Sequence, residues 1–253
     1  MNTLEHLFNK IENAKALDFG IIIDEVITLY KMVWQKGAVL FLLMMVCGAA
    51  VAVVFTIIGL APTSEIFVNG EFDIEGFVNS YSKNALYSVP QNILMSTLTM
   101  AFLAAFYRMC SFELLGKPYQ NDYFYFFRNG YFSKLLTLGM IYTGISTIAQ
   151  LLFLIPLIYV YVPLSYIAVI FAFNPDLTEI EIVKASFKLG NKKWLISFGT
   201  MFVGALMGML GILGCGIGVI FTIAIAYLPV LFIYKEVIGF EYQSPIDEIG
   251  STF

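Results

Sequence analysis

The stretch Asp176-Leu-Thr-Glu-Ile-Glu-Ile-Val-Lys-Ala-Ser-Phe-Lys-Leu-Gly190 is followed by Asn191-Lys-Lys-Trp194, after which no charge occurs until Lys235. Asp176 or Thr178 suits the start of a helix, because Glu179 and Glu181 each lie three residues on, as a capping box requires. Gly190 suits its C-terminal cap. Lys192, Lys193 and Trp194 form a basic and aromatic boundary of the kind found at lipid headgroups. The uncharged run beyond is long enough for two membrane crossings at about 1.5 Å of rise per residue. The glycine-rich Gly214-Cys-Gly-Ile-Gly218 divides it into crossings at about 194–214 and 217–234.

Working outward, the same plan recurs twice. Each unit is an interfacial stretch, an anchor and a pair of apolar runs, over residues 20–108, 119–173 and 177–235. Tyr161-Val-Pro163-Leu164 echoes Tyr227-Leu-Pro229-Val230 between the second and third units. The remaining crossings fall at about 37–60, 86–107, 135–154 and 157–173, the last two divided near Pro156. Pro90 lies in the first turns of its crossing, where a missing amide donor costs little. Within 20–36, Ile22, Val26, Leu29 and Val33 share one helical face and Asp24, Thr28, Lys31 and Gln35 the opposite one. That spacing predicts an amphipathic helix lying at the interface or packed on the underside of the bundle. The Tyr- and Phe-rich residues 111–131 read as an aromatic belt segment with a further interfacial helix.

The fold class expected is therefore all-α: a polytopic membrane protein with six transmembrane helices as three hairpins. A 1–36 N-terminal segment, a 37–235 transmembrane domain and a 236–253 tail follow. Composition agrees, with 59% hydrophobic and only 13% charged residues, where soluble domains are nearer a quarter charged. The first 36 residues lack the apolar core of a cleavable signal peptide, so the first crossing is expected to act as its own targeting signal. With six crossings, every Lys and Arg except Lys83 falls on the side of the two termini. The positive-inside rule then makes both termini cytoplasmic, in a bacterial cytoplasmic membrane. The acidic loop 61–85 belongs on the other side. A sequence pI of about 5.0 argues against nucleic acid as a partner.

Residues 155–239 resemble a broad group of bacterial multi-pass proteins of unknown function, which includes the membrane domain preceding some glycerophosphodiester phosphodiesterases. The resemblance rests on Pro156 and Pro163, Asn174-Pro-Asp176, Ala185-Ser186, the Gly190-Asn-Lys-Lys-Trp194 exit and the glycine-rich turn before Pro229 and Tyr234. It implies a polytopic bacterial membrane protein without assigned chemistry.

Catalytic groups are sparse. The single histidine, His6, lies in the polar N-terminus, and none of the six crossings contains Asp, Glu, Lys or Arg. Proton relays, metal centres and Ser-His-Asp chemistry all need such groups, so no enzyme, no metal and no cofactor are expected. Cys47, Cys110 and Cys215 read as small buried hydrophobes. Three candidate sites remain. Gln91, Asn92, Tyr142, Thr143, Ser146 and Gln150 form an uncharged polar cluster in the second and third crossings, suited to interhelical hydrogen bonds or to a pocket for a lipid headgroup or solute. Lys184, Lys188, Lys192 and Lys193, with Trp194, suit anionic lipid headgroups. Gly204, Gly208 and Gly211 make a small-residue face for packing within the bundle or with another subunit. The leading expectation is a non-enzymatic scaffold, accessory or lipid-organising protein, with membrane lipids and homo- or hetero-oligomeric contacts as partners. The alternative is a transporter or lipid-handling carrier working through uncharged polar residues.

Overall fold

The computed structural model describes residues 3–60, 67–68, 71–72, 84–128, 130–152, 154–213 and 216–240. Helix α1 (Leu4–Glu12) starts at Thr3, whose hydroxyl accepts from the His6 amide at 3.3 Å. Helix α2 spans Phe19–Ile57 and a small antiparallel ladder pairs β1 (Phe67–Val68) with β2 (Glu71–Phe72). Then come α3 (Val89–Leu114), the single turn α4 (Tyr125–Arg128), α5 (Phe132–Leu151), α6 (Leu154–Phe173) and α7 (Glu179–Lys192). Helix α8 (Trp194–Met209) continues as a 3-10 turn, Leu210–Leu213. The last span is composite: α9 (Gly218–Thr222), a 3-10 segment (Ile223–Tyr227) and α10 (Leu228–Val237). Among the described residues, six helices are long and apolar enough to cross a membrane.

Helix α3 is the hub. From Met100 to Ser111 nearly every side chain is buried, and the helix packs against α2, α5 and α6. Helices α6 and α10 are likewise buried over Val162–Ala172 and Leu228–Tyr234. By contrast α2 beyond Leu40 exposes Met45, Val46, Val53, Val54 and Ile57, a surface suited to lipid.

Several boundaries differ from those the sequence predicts. The 20–36 helix and the 37–60 crossing are one unbroken rod, α2, of 39 residues. The predicted face does pack inward, since Ile22, Val26, Leu29 and Val33 are 0–2% exposed. Nothing between Trp34 and Ala38 stops a helix, and Gly37 stays within it because a Cβ there would sit 2.3 Å from the Ala224 side chain. The second crossing does not end at Arg108 but runs to Leu114. Between the end of α3 and residue 131 the described residues hold a single helical turn, and its rings pack on the protein: Phe126 is buried, 4.9 Å from the Phe171 ring. Thr178 caps α7 in a full capping box with Glu181, as the spacing predicts. Gly190 is no cap; it lies inside α7, pressed on Pro163 of α6. The loop 61–85 and the tail fall largely outside the described residues.

Pro163 has no amide hydrogen, so the Tyr159 carbonyl four residues earlier lacks its helical donor. Trp194 Nε1 donates to that carbonyl at 3.0 Å, and Ser186 Oγ donates to the Pro163 carbonyl itself. Helix α7 is thereby fixed on α6 by a glycine contact and the Ser186 hydrogen bond, and the start of α8 by the Trp194 hydrogen bond.

Beyond the apolar spans lies a charged layer. Lys36 pairs with Glu113 at 2.6 Å and Lys235 with Glu25 at 3.0 Å. Lys134 donates to the Pro175 and Leu177 carbonyls, both at 2.6 Å, and Lys188 pairs with Glu12. Lys10 donates to the Ile238 carbonyl at 2.8 Å, so α1 and the end of α10 meet. Tyr123 donates to the Lys36 carbonyl at 3.0 Å, and burial pushes its hydroxyl up to about 12.

A Cβ at Gly190 would stand 2.5 Å from Pro163 Cα. Gly190→Ala is predicted to destabilise the purified protein by about 1–3 kcal/mol, read as a lowered thermal midpoint, while Gly144→Ala, with nothing within 4 Å, leaves it unchanged. Hydrogen bonds from the Thr178 amide and hydroxyl hold the Glu181 carboxyl below its ordinary range. Its support of α7 is therefore present above that range and is lost as pH falls through the lowered value. Amide protection in the first turn of α7, taken relative to the intrinsic exchange rate at each pH, is predicted to fall on acidification below about pH 4, and Glu181→Gln to remove that dependence.

Candidate functional site

Among the described residues the helices enclose a cavity of about 360 Å³ between the apolar spans. Helices α3, α5, α6, α8 and the Ile223–Tyr227 segment with α10 all contribute to its wall. Along α3 the lining runs from Asn92 to Tyr107, about 22 Å at 1.5 Å per residue. Asn92 and Tyr161 are exposed at its rim, whereas Tyr107 is 1% exposed at its deep end. No lining residue is charged. The wall combines methionine and small apolar side chains with hydroxyls.

Those hydroxyls divide into two sets. The first is engaged by the protein. Ser96 and Thr143 are hydrogen-bonded to each other at 3.1 Å, Ser146 donates to the Thr143 carbonyl at 3.1 Å and Ser165 to the Val162 carbonyl at 2.7 Å. Tyr107 donates to the Tyr227 carbonyl at 3.1 Å. Tyr227 is the last residue of the 3-10 segment and caps the start of α10. The second set comprises Tyr142, Tyr161, Tyr227 and Thr99. Their hydroxyls have no acceptor or donor among the described residues, and all four line the cavity. The phenol groups of Tyr161 and Tyr227 are near enough to interact electrostatically with those of Tyr107 and Tyr142. A low-dielectric chamber therefore carries a group of hydroxyl donors without protein partners, a costly arrangement unless a guest or water satisfies them.

The predicted polar cluster is partly assembled here. Asn92, Tyr142, Thr143 and Ser146 line the cavity. Gln91 and Gln150 do not; Gln91 Oε1 is buried without a partner and Gln150 is half-buried elsewhere. Tyr107, Tyr161, Tyr227, Thr99 and Ser165 were not singled out from the sequence. The signal for two of them was present, since Tyr161-x-Pro163 and Tyr227-x-Pro229 are the two halves of the internal echo.

The other two candidate sites are largely engaged within the chain. Lys193 is buried, donates to the Ala14 and Lys15 carbonyls, and is held below its ordinary range by burial and then by the neighbouring charge of Lys192. Lys188 pairs with Glu12 and lies 4.4 Å from the Phe8 ring. Trp194 stacks on Phe198, with ring centroids 5.1 Å apart. Only Lys184 and Lys192 of that group are exposed. Gly204, Gly208 and Gly211 face the last span: Cβ atoms there would meet the Ile225 carbonyl, Ile223 Cα and the Gly218 backbone. Thr222 tightens this crossing by donating to the Gly208 carbonyl at 2.5 Å. Among the described residues, no group of His, Cys, Asp and Glu could hold a metal ion.

Comparison with known proteins finds no matching family model, no matching curated protein and no matching solved structure. The cavity's reading rests on its geometry.

Ala168 lines open space, whereas Ala101 is buried in close-packed α3. Ala168→Leu is predicted to leave the thermal midpoint near that of the unaltered protein. Ala101→Leu overpacks the hub and lowers stability by about 1–3 kcal/mol.

Proposed function

We propose that the protein binds a small uncharged molecule within the bilayer and acts as a carrier or lipid-handling protein for it. The observation that carries this reading is the set of phenol hydroxyls without protein partners, from Tyr142, Tyr161 and Tyr227, around a charge-free cavity. Such a wall has no counter-ion for a charged solute. It does offer hydrogen bonds to carbonyl, ether, ester or hydroxyl oxygens on an otherwise apolar guest. Methionines 95, 100 and 201 supply an adaptable apolar surface beside those donors. The exposed rim at Asn92 and Tyr161 gives an entry route, and the composite last span resembles in plan the interrupted helices around which carriers change shape.

This reading includes three hairpins, cytoplasmic termini and a bacterial cytoplasmic membrane, supported by the one-sided distribution of Lys and Arg. It is a reading of binding without chemistry, because the lining offers hydroxyls and one amide but no carboxylate, imidazole, thiol or amine. The scaffold alternative has less support, since the glycine face it would use packs on the last span of the same chain.

The test is native mass spectrometry of gently extracted protein. Unaltered protein is predicted to retain a neutral molecule. The triple variant Tyr142→Phe, Tyr161→Phe, Tyr227→Phe keeps all three rings but loses three hydrogen bonds of about 1 kcal/mol each, and so binds roughly 100-fold more weakly. Equal retention by both proteins, or no retained molecule in either, overturns the reading.

A further inference from the structure

A second pocket, of about 310 Å³, lies at the charged layer between α3 and the segment leading into α4. Its wall includes Arg108, Phe112, Tyr119, Gln120 and Tyr125. The Arg108 guanidinium carbon stands 3.6 Å from the Tyr125 ring centroid and 5.4 Å from that of Phe112. The guanidinium is thus held against aromatic rings two turns before the end of α3.

Its electrostatic situation differs from that of the other half-buried or buried cations. Lys36, Lys188 and Lys235 each have a carboxylate partner, and Lys10, Lys134 and Lys193 donate to backbone carbonyls. Among the described residues, no carboxylate or carbonyl accepts from Arg108. Ring stacking engages the faces of a guanidinium but not its N–H groups. Gln120, exposed on the same wall, carries an amide that makes no hydrogen bond among the described residues. The carboxylate in the wall, Asp122, already accepts from the Phe124 amide at 3.0 Å and from Arg128 at 3.3 Å, so its charge is compensated from its own loop.

We propose that this pocket is an anion site taking a phosphate group, with Arg108 as the bidentate donor and Gln120 as a further donor. The planar fork of Arg matches two phosphate oxygens, and aromatic walls orient that fork. The group could come from a phospholipid headgroup, because the pocket adjoins the end of an apolar span, or from a free phosphate. The site shares no lining residue with the hydroxyl-lined cavity and stands whether or not that cavity carries a guest.

The experiment uses the full chain in a neutral detergent. Phosphatidylglycerol, diacylglycerol with the same acyl chains, and inorganic phosphate are titrated separately and read by native mass spectrometry. Phosphatidylglycerol is expected to bind about tenfold more weakly to Arg108→Gln and unchanged to Lys31→Gln, an exposed cation outside the pocket. Diacylglycerol is expected to show no dependence on Arg108. Inorganic phosphate competing with the same Arg108 dependence supports the site with a free anion as its source, and its failure to compete supports the lipid headgroup. If Arg108→Gln does not fold, the exposed Gln120→Ala decides, with an expected loss of about threefold. Phosphatidylglycerol binding that is unaltered in every folded variant overturns the proposal, as does diacylglycerol binding that depends on Arg108.

Discussion

A backbone in hydrocarbon must satisfy its own hydrogen bonds, and where Pro163 withdraws a donor this protein supplies another from a side chain. At Pro163 the carbonyl left without a donor is met by Trp194 from α8. Two residues before Pro229 the carbonyl of Tyr227 accepts from Tyr107 of α3. Each bond ties a proline-containing span to a different neighbour. Together with the Gly190 contact and the Ser186 bond to Pro163, they determine which helices lie side by side. The tyrosines of both Tyr-x-Pro segments line the cavity.

The charged layer has a complementary role. Its ion pairs are individually weak where water reaches them, yet they join parts distant in sequence: Lys36 with Glu113, Glu25 with Lys235, and α1 with the end of α10. Lysines that could meet lipid, such as Lys188 and Lys193, are instead directed at the protein's own carboxylates and carbonyls. Arg108 stands apart because its contacts are aromatic.

Much of this was legible in the residues. Uncharged runs of membrane length located the six spans, because no other solvent tolerates them. The Thr178–Glu181 pair located the start of α7, because capping is a local interaction. Asn92, Tyr142, Thr143 and Ser146 were found because polar side chains are conspicuous in apolar helices. The tyrosines were harder: Tyr107 and Tyr227 have the same composition signature as any belt aromatic, and only the fold reveals whether a phenol points at headgroups or into a chamber. Gln91 and Gln150 were misleading for the converse reason, since a shared helix does not guarantee a shared face with the cavity. The continuity of α2 was hidden because charge marks the water boundary, and a helix need not end there. Gly190 looked like a cap until its true neighbour, Pro163, was brought near by tertiary packing.

The unbroken length of α2 has a mechanical consequence. At 1.5 Å per residue its 39 residues form a rod of about 58 Å. One half is pinned by Ile22, Val26, Leu29 and Val33, and the other is bathed in lipid. A rod without a hinge cannot absorb a change of bilayer thickness by bending. If it leans by about 10°, within the ordinary range of such helices, its far end shifts sideways by about 10 Å. Thinning or thickening of the surrounding lipid is thereby levered directly onto Glu25 and Lys36, and through them onto α10 and α3, the two elements that hold the walls of the chamber.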